Sequence, residues 1–225
     1  MNKVTFKKSV LTIFLISFFS VQSASAFEGL SIGLGYNTAA FMGTGKETMT
    51  GSGEDTTKPK ITEEDGAFTD EVGSAFVEYD TGPVSIGVEY YLGDIATPSN
   101  TNTHDNNNAE GTVNTVKAVF KDHITIYANI DMPYNTYLKL GYQQVDVETG
   151  ENLATGSAYG NVDTDGYTLG LGYNHVVDNG MFLRAEVAAH SYGDVSATST
   201  EDNTKKVDVT DMYGATASIK IGKTF

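Results

Sequence analysis

The 225-residue chain has no cysteine. That removes disulfide staples, thiolate metal sites and a cysteine nucleophile, and leaves no thiol to accept a lipid after export. Proline is scarce as well. Pro59, Pro83, Pro98 and Pro133 all fall outside the segments read below as strand interiors, as suits a residue that cannot donate to a β ladder. Cations are few: 14 Lys and Arg stand against 29 Asp and Glu, a formal net charge of -15. Such an excess argues against nucleic acid, and against direct binding to anionic lipid phosphates, because proteins with those partners present clustered Lys and Arg. The run from Val10 to Val21 is strongly apolar, but about a dozen residues fall short of the ~20 that a spanning helix needs. No second run of helical length follows, so a helical membrane protein is excluded.

What is there begins with export. Lys3, Lys7 and Lys8 precede the apolar run, and Ala24-Ser25-Ala26 follows it as a small-residue cleavage pattern. Residues 1–26 therefore read as a secretory signal peptide, and residues 27–225 as one mature domain. Removing the three leader lysines takes the formal charge from -15 to -18.

The mature chain is written in period two. Counting back from Phe225, alternate positions read Lys223, Ile221, Ile219, Ala217, Ala215 and Tyr213, with Thr224, Gly222, Lys220, Ser218, Thr216 and Gly214 between them. Successive strand side chains point to opposite faces, so this strand has an apolar side and a small or polar side, with aromatics at both ends of the apolar band. The same grammar recurs at 30–37, 74–79, 84–90, 123–130, 136–143, 167–174 and 181–188. Val116, Ala118 and Phe120 share parity with Ile124, Ile126 and Ile130, so 113–121 merges into the fourth strand and the count is eight. Short turns at Asp80-Thr81-Gly82-Pro83, around Pro133 and at Asp178-Asn179-Gly180 alternate with long polar connections near 39–71, 93–113, 148–165 and 193–209. Those long segments lack hydrophobic periodicity and read as irregular surface loops. The pattern predicts an all-β fold: an eight-stranded antiparallel up-and-down transmembrane β-barrel, with short turns on one side and long loops on the other. Threading up and down places Tyr36, Tyr90, Tyr142, Tyr167 and Tyr213 in one aromatic girdle, and Tyr79, Tyr173 and Phe225 in a second.

The leader, the alternating strands, the Gly-Tyr strand ends (Gly35-Tyr36, Gly141-Tyr142, Gly172-Tyr173) and the close Lys220-Ile221-Gly222-Lys223-Thr224-Phe225 resemble the small outer-membrane β-barrels of Gram-negative bacteria, the opacity-type or porin family. The resemblance spans 27–225. It implies short periplasmic turns, extracellular loops, a place in the cell outer membrane among its lipids, and insertion by the barrel assembly machinery, with Phe225 as the assembly signal. It also implies a monomer. No periplasmic wall-binding domain follows the last strand, so no wall tether is expected.

Eight strands enclose an interior just wide enough for side chains. By parity the lumen holds Glu78, Glu89, Lys139, Arg184, Glu186 and Lys220, three acids and three bases. Unpaired ions would be costly there, so a cross-lumen ion-pair network that plugs the pore is expected; an ion path is the alternative. Gly33, Gly35, Gly87, Gly141, Gly170, Gly172 and Gly222 either make room for these long side chains or leave a gap for water. Catalytic signals are thin. His190 and Ser191 are adjacent, so they face opposite ways on a strand and cannot form a base-nucleophile pair. His123 and His175 read as polar lumen or interface residues, and His104 lies in a polar loop. Asp163-Thr164-Asp165-Gly166 opens like a calcium loop but lacks the closing ligands, and so reads as a turn. No cofactor or firm metal site is expected, although Glu63, Glu64, Asp65, Asp70 and Glu71 would attract calcium or magnesium weakly. The leading expectation is a non-enzymatic envelope or surface-interaction protein; the alternatives are a narrow passive channel and a loop-rim hydrolase or acyltransferase.

Overall fold

The computed structural model describes residues 28–50, 59–104, 112–152 and 158–225. The leader assigned to 1–26 lies outside the described residues. One antiparallel sheet contains β1 (Leu30–Met49), β2 (Lys60–Asp80), β3 (Val84–Tyr91), β4 (Ile95–Ala96), β5 (Asn100–His104), β6 (Thr112–Met132), β7 (Thr136–Asn152), β8 (Val162–Val176), β9 (Met181–Tyr192), β10 (Val195–Thr198) and β11 (Lys205–Thr224). Eight of these form the ring, in the order β1, β2, β3, β6, β7, β8, β9, β11, and β11 pairs back onto β1 to close it. β4 and β5 pair with β6 beyond the end of β3, and β10 pairs with β11 beyond the end of β9.

The short connections take the turns their residues allow. Asp80 Oδ1 accepts the Gly82 amide at 2.7 Å, and Thr81 N–H donates to the Val84 carbonyl at 3.0 Å. Between β6 and β7, Tyr134 and Asn135 have φ of 65° and 59°. Two successive left-handed residues make the mirror-image turn that matches strand twist. On the same side the first and last strands meet: Gly29 N–H donates to the Phe225 carbonyl at 3.0 Å and Phe225 N–H to the Leu30 carbonyl at 2.9 Å.

The sheet is inside-out relative to a water-soluble fold. Outward-facing Leu34, Ile86, Ile126, Leu140, Leu171, Leu183, Val187 and Ile219 are 44–58% exposed, whereas Lys220 and Glu89 inside are 2% and 1% exposed. An apolar belt of that extent is a liability in water and what a lipid-embedded sheet requires.

Two features depart from the period-two reading. First, the long connections are only partly irregular. β1 and β2 stay paired out to Met49 and Lys60, and β1 stays paired with β11 out to Lys205. A strand of β1's length, 20 residues, runs roughly 65 Å, more than twice the ~25 Å apolar band. The wall therefore continues well beyond the membrane as a wet sheet. Second, two bulges reverse parity. Lys121 pairs with Asp146 but Ile124 with Gln144, so Asp122 (φ 49°) is an extra residue. Asp211 (φ 52°) plays the same part in β11, between the pairs Met42 with Tyr213 and Thr44 with Thr210. The fourth ring strand is continuous, as expected, yet Phe120 does not share a face with Ile124. It turns inward, packed against the buried Val72, Tyr91 and Ile95.

Candidate functional site

Climbing β9 from the turn side, its inward positions are Phe182, Arg184, Glu186, Ala188, His190 and Tyr192, and they pass through three kinds of environment. Above Phe182 comes an ionic layer. Arg184 grips Glu78 with both terminal nitrogens, Nη1 to Oε2 at 2.9 Å and Nη2 to Oε1 at 3.0 Å. Tyr127 Oη (3.0 Å) and Asn129 Nδ2 (2.9 Å) also donate to that carboxylate. One step higher, Lys139 donates to Glu89 and Glu186, both at 2.9 Å, and Lys220 donates to the same two at 2.7 and 3.2 Å. Ser74 Oγ (2.7 Å) and Tyr137 Oη (2.6 Å) occupy the carboxylates' remaining oxygens. All six charges read from parity thus meet here, paired three against three, on five different ring strands. Below them the Phe76 and Phe182 rings face one another at 6.1 Å.

The lumen glycines make room. A Cβ at Gly33 would overlap the Phe76 ring, at Gly222 the Phe182 ring, at Gly87 the Tyr127 ring and at Gly172 the Tyr137 ring. At Gly35 it would strike Ser74 Oγ. Gly141 and Gly170 lie under Thr125 and against Ala188 and Lys139. Each glycine is the socket for a neighbouring side chain, so the sequence alternative of a gap left beside them does not hold at the four ring sockets.

Above the ions lies a neutral polar layer. Gln143 Oε1 accepts from Thr168 Oγ1 at 3.1 Å and meets His123 Nε2 and His190 Nδ1, both at 3.2 Å. His190 Nε2 contacts Thr216 Oγ1 at 3.0 Å. Tyr91 stacks on His123 at 4.3 Å.

Highest is an apolar mouth that the sequence reading missed. A cavity of about 460 Å³ is lined by Phe41, Phe68, Phe120, Val145, Val147 and Val209, among others, with His123 and Tyr192 also in its wall. Phe41, Phe68 and Phe120 lie nearly parallel, with centroids 5.2 to 6.3 Å apart. The signal was present in part: Val145 and Val147 continue the inward parity of Lys139 and Gln143. Phe120 and Val209 could not be placed, because both lie beyond a bulge.

The remaining candidates are scattered. Tyr36, Tyr79, Tyr142, Tyr167, Tyr173 and Tyr213 are exposed on the outer wall, with Tyr90 and Phe225 partly so; Tyr142 and Tyr167 meet edge to face at 5.9 Å. Tyr36 donates to Glu71, and Tyr90 to Asp122 at 2.6 Å. Lys223 lies over the Phe225 ring at 5.1 Å. His190 is buried while Ser191 and His175 are exposed. Asp163 to Gly166 is not a turn: it lies in β8, with Asp163 opposite Asp146. His104 ends β5, opposite Thr112. Glu63, Glu64 and Asp65 lie in β2 opposite Lys46, Gly45 and Thr44, so alternation sends them to both faces. Asp70 accepts the Ala96 amide instead. Among the described residues no group of three or more His, Asp or Glu could hold a metal ion.

A closed ring of antiparallel strands, apolar outside and ion-paired inside, defines an integral β-barrel membrane protein. The chain belongs to the outer membrane protein beta-barrel domain family, whose model matches residues 11–220, and its place is the cell outer membrane. Among solved structures, the outer membrane protease OmpT from Escherichia coli is 11% identical with a TM-score of 0.52, covering 92% of this chain and 99% of that one. OprG from Pseudomonas aeruginosa is 12% identical with a TM-score of 0.51, covering 88% and 98%. Neisserial surface protein A is 12% identical with a TM-score of 0.37, covering 84% and 97%. At these identities the likeness is one of fold. No curated protein matches the chain.

Proposed function

We propose that this chain is a non-enzymatic, monomeric barrel whose membrane-level lumen is closed, and whose extended outer wall does its work at the cell surface. One observation carries the reading: the Glu89–Lys139–Glu186–Lys220 ring, in which each lysine bridges both carboxylates across the lumen. A conducting path would have to break pairs whose members are already desolvated, and removing one partner of such a pair costs several kcal/mol. The acid-base candidate His190 is engaged by Thr168, Gln143 and Thr216, with Ser191 on the opposite face, so no activated nucleophile is assembled there. Insertion through the terminal strand fits the position of Phe225 at the β1–β11 seam. The acidic residues of β2 would contribute at most weak attraction for divalent cations.

Planar-bilayer recording of the refolded protein tests the closed lumen. Silence is expected from the natural sequence. Stable conductance steps that Arg184→Ala alters would replace this reading with a passive channel.

A further inference from the structure

We infer that the apolar mouth is a binding site for an uncharged, flat or chain-like hydrophobic molecule carrying one hydroxyl group. This goes beyond the closed-lumen reading and does not depend on it. The volume, about 460 Å³, lies within the range of small-molecule sites, which pair apolar walls with a few polar groups. The three near-parallel phenylalanine rings supply surfaces on which a flat molecule stacks. Lys117 is the only Lys, Arg, Asp or Glu among the described lining residues, and it is exposed at the rim. An ionised ligand would therefore be desolvated against apolar walls with no counter-charge beside it.

The hydroxyl is assigned by His123. Its Nε2 is engaged by the Gln143 side-chain amide at 3.2 Å, which leaves Nδ1 as the ring nitrogen available to a ligand; a hydroxyl, which both donates and accepts, suits Nδ1 in either tautomer. Nδ1 has no partner among the described residues, although His123 is only 4% exposed and lines the cavity. A ligand hydroxyl would give that nitrogen a hydrogen bond within an otherwise apolar wall. The ring is held for that task by the Tyr91 stack on its face and by Gln143 on its other nitrogen.

The experiment is equilibrium dialysis of two probes, 1-naphthol and naphthalene, against the full barrel in lipid nanodiscs. Discs carrying a Phe120→Asp variant measure partition into lipid alone. Gel mobility before and after boiling verifies that each variant is folded, and Phe68→Asp replaces Phe120→Asp if the latter fails to assemble. Expected is saturable binding of both probes to the natural protein, weakened at least tenfold by the aspartate. His123→Phe should weaken 1-naphthol by about tenfold, the worth of one hydrogen bond, and leave naphthalene unchanged. Equal binding by the natural and aspartate proteins overturns the site. An equal effect of His123→Phe on both probes overturns the hydroxyl assignment.

Discussion

Lys220 reaches Glu89 at 2.7 Å across the lumen, although 131 positions separate them in the chain. The pair closes a four-membered ring, since Lys139 and Lys220 each touch both Glu89 and Glu186. No member has a charged partner of its own, so removing one leaves the other three unbalanced in charge.

That sharing has a measurable consequence. Lys220→Met should lower unfolding stability by about 3 kcal/mol or more, because two buried carboxylates are left with one lysine. Adding Glu89→Gln to it should recover much of the loss by restoring charge balance. Urea unfolding of the reconstituted barrel, read by gel mobility, gives both values. Simple addition of the two single losses would refute the shared ring.

The glycine sockets yield a second prediction. Gly172→Ala would drive a methyl group into the Tyr137 ring, at a cost of about 1–3 kcal/mol. Gly160→Ala, which has open space around it, should be neutral. Tyr137→Leu is costly by itself because Tyr137 donates to Glu186, but it should cost less in the Gly172→Ala background. A double-mutant cycle with no coupling would mean that the ring does not occupy the socket.

These two devices were legible to different extents. The charges could be placed by counting because Glu78, Glu89, Lys139, Arg184, Glu186 and Lys220 all lie on the turn side of the bulges, where period two runs uninterrupted. The glycines were recognisable as lumen-facing, but which ring fills which socket depends on strand register, and register is a pairing of distant segments. The mouth was hidden for two reasons. Phe41 stands between Ala40 and Met42, and Phe68 between Ala67 and Thr69, so no apolar-polar alternation marks their stretches as strands. Phe120 and Val209 lie beyond Asp122 and Asp211, where one extra residue reverses the parity rule.

The parity reversal can be tested directly. Spin labels at Leu34, Leu171 and Ile219, all outward and exposed, should be quenched by lipid-soluble oxygen in preference to a water-soluble nickel complex. Label positions 120 and 126 share sequence parity, but only 126 should join that set, because the Asp122 bulge turns 120 inward. Lipid contact at both positions would mean an unbulged strand. Aqueous contact at Leu34, Leu171 and Ile219 would remove the barrel orientation altogether.

The outer wall should show one acid-sensitive turn. Asp202 accepts from Thr204 at its hydroxyl (2.6 Å) and at its amide (3.1 Å) just before β11. These bonds, the side-chain one foremost, hold its carboxyl below the usual carboxylate value, with Lys205 adding to the effect. A depressed folded-state pKa means that the stabilisation is complete above the ordinary carboxylate range and fades as pH falls through the lower, folded value. The Thr204 amide resonance should therefore titrate with a midpoint below that of an unstructured aspartate. Thr204→Ala should move the Asp202 midpoint upward while leaving the barrel's gel mobility unchanged. A midpoint at or above the unstructured value in the natural protein would show that the turn is not held by this carboxylate.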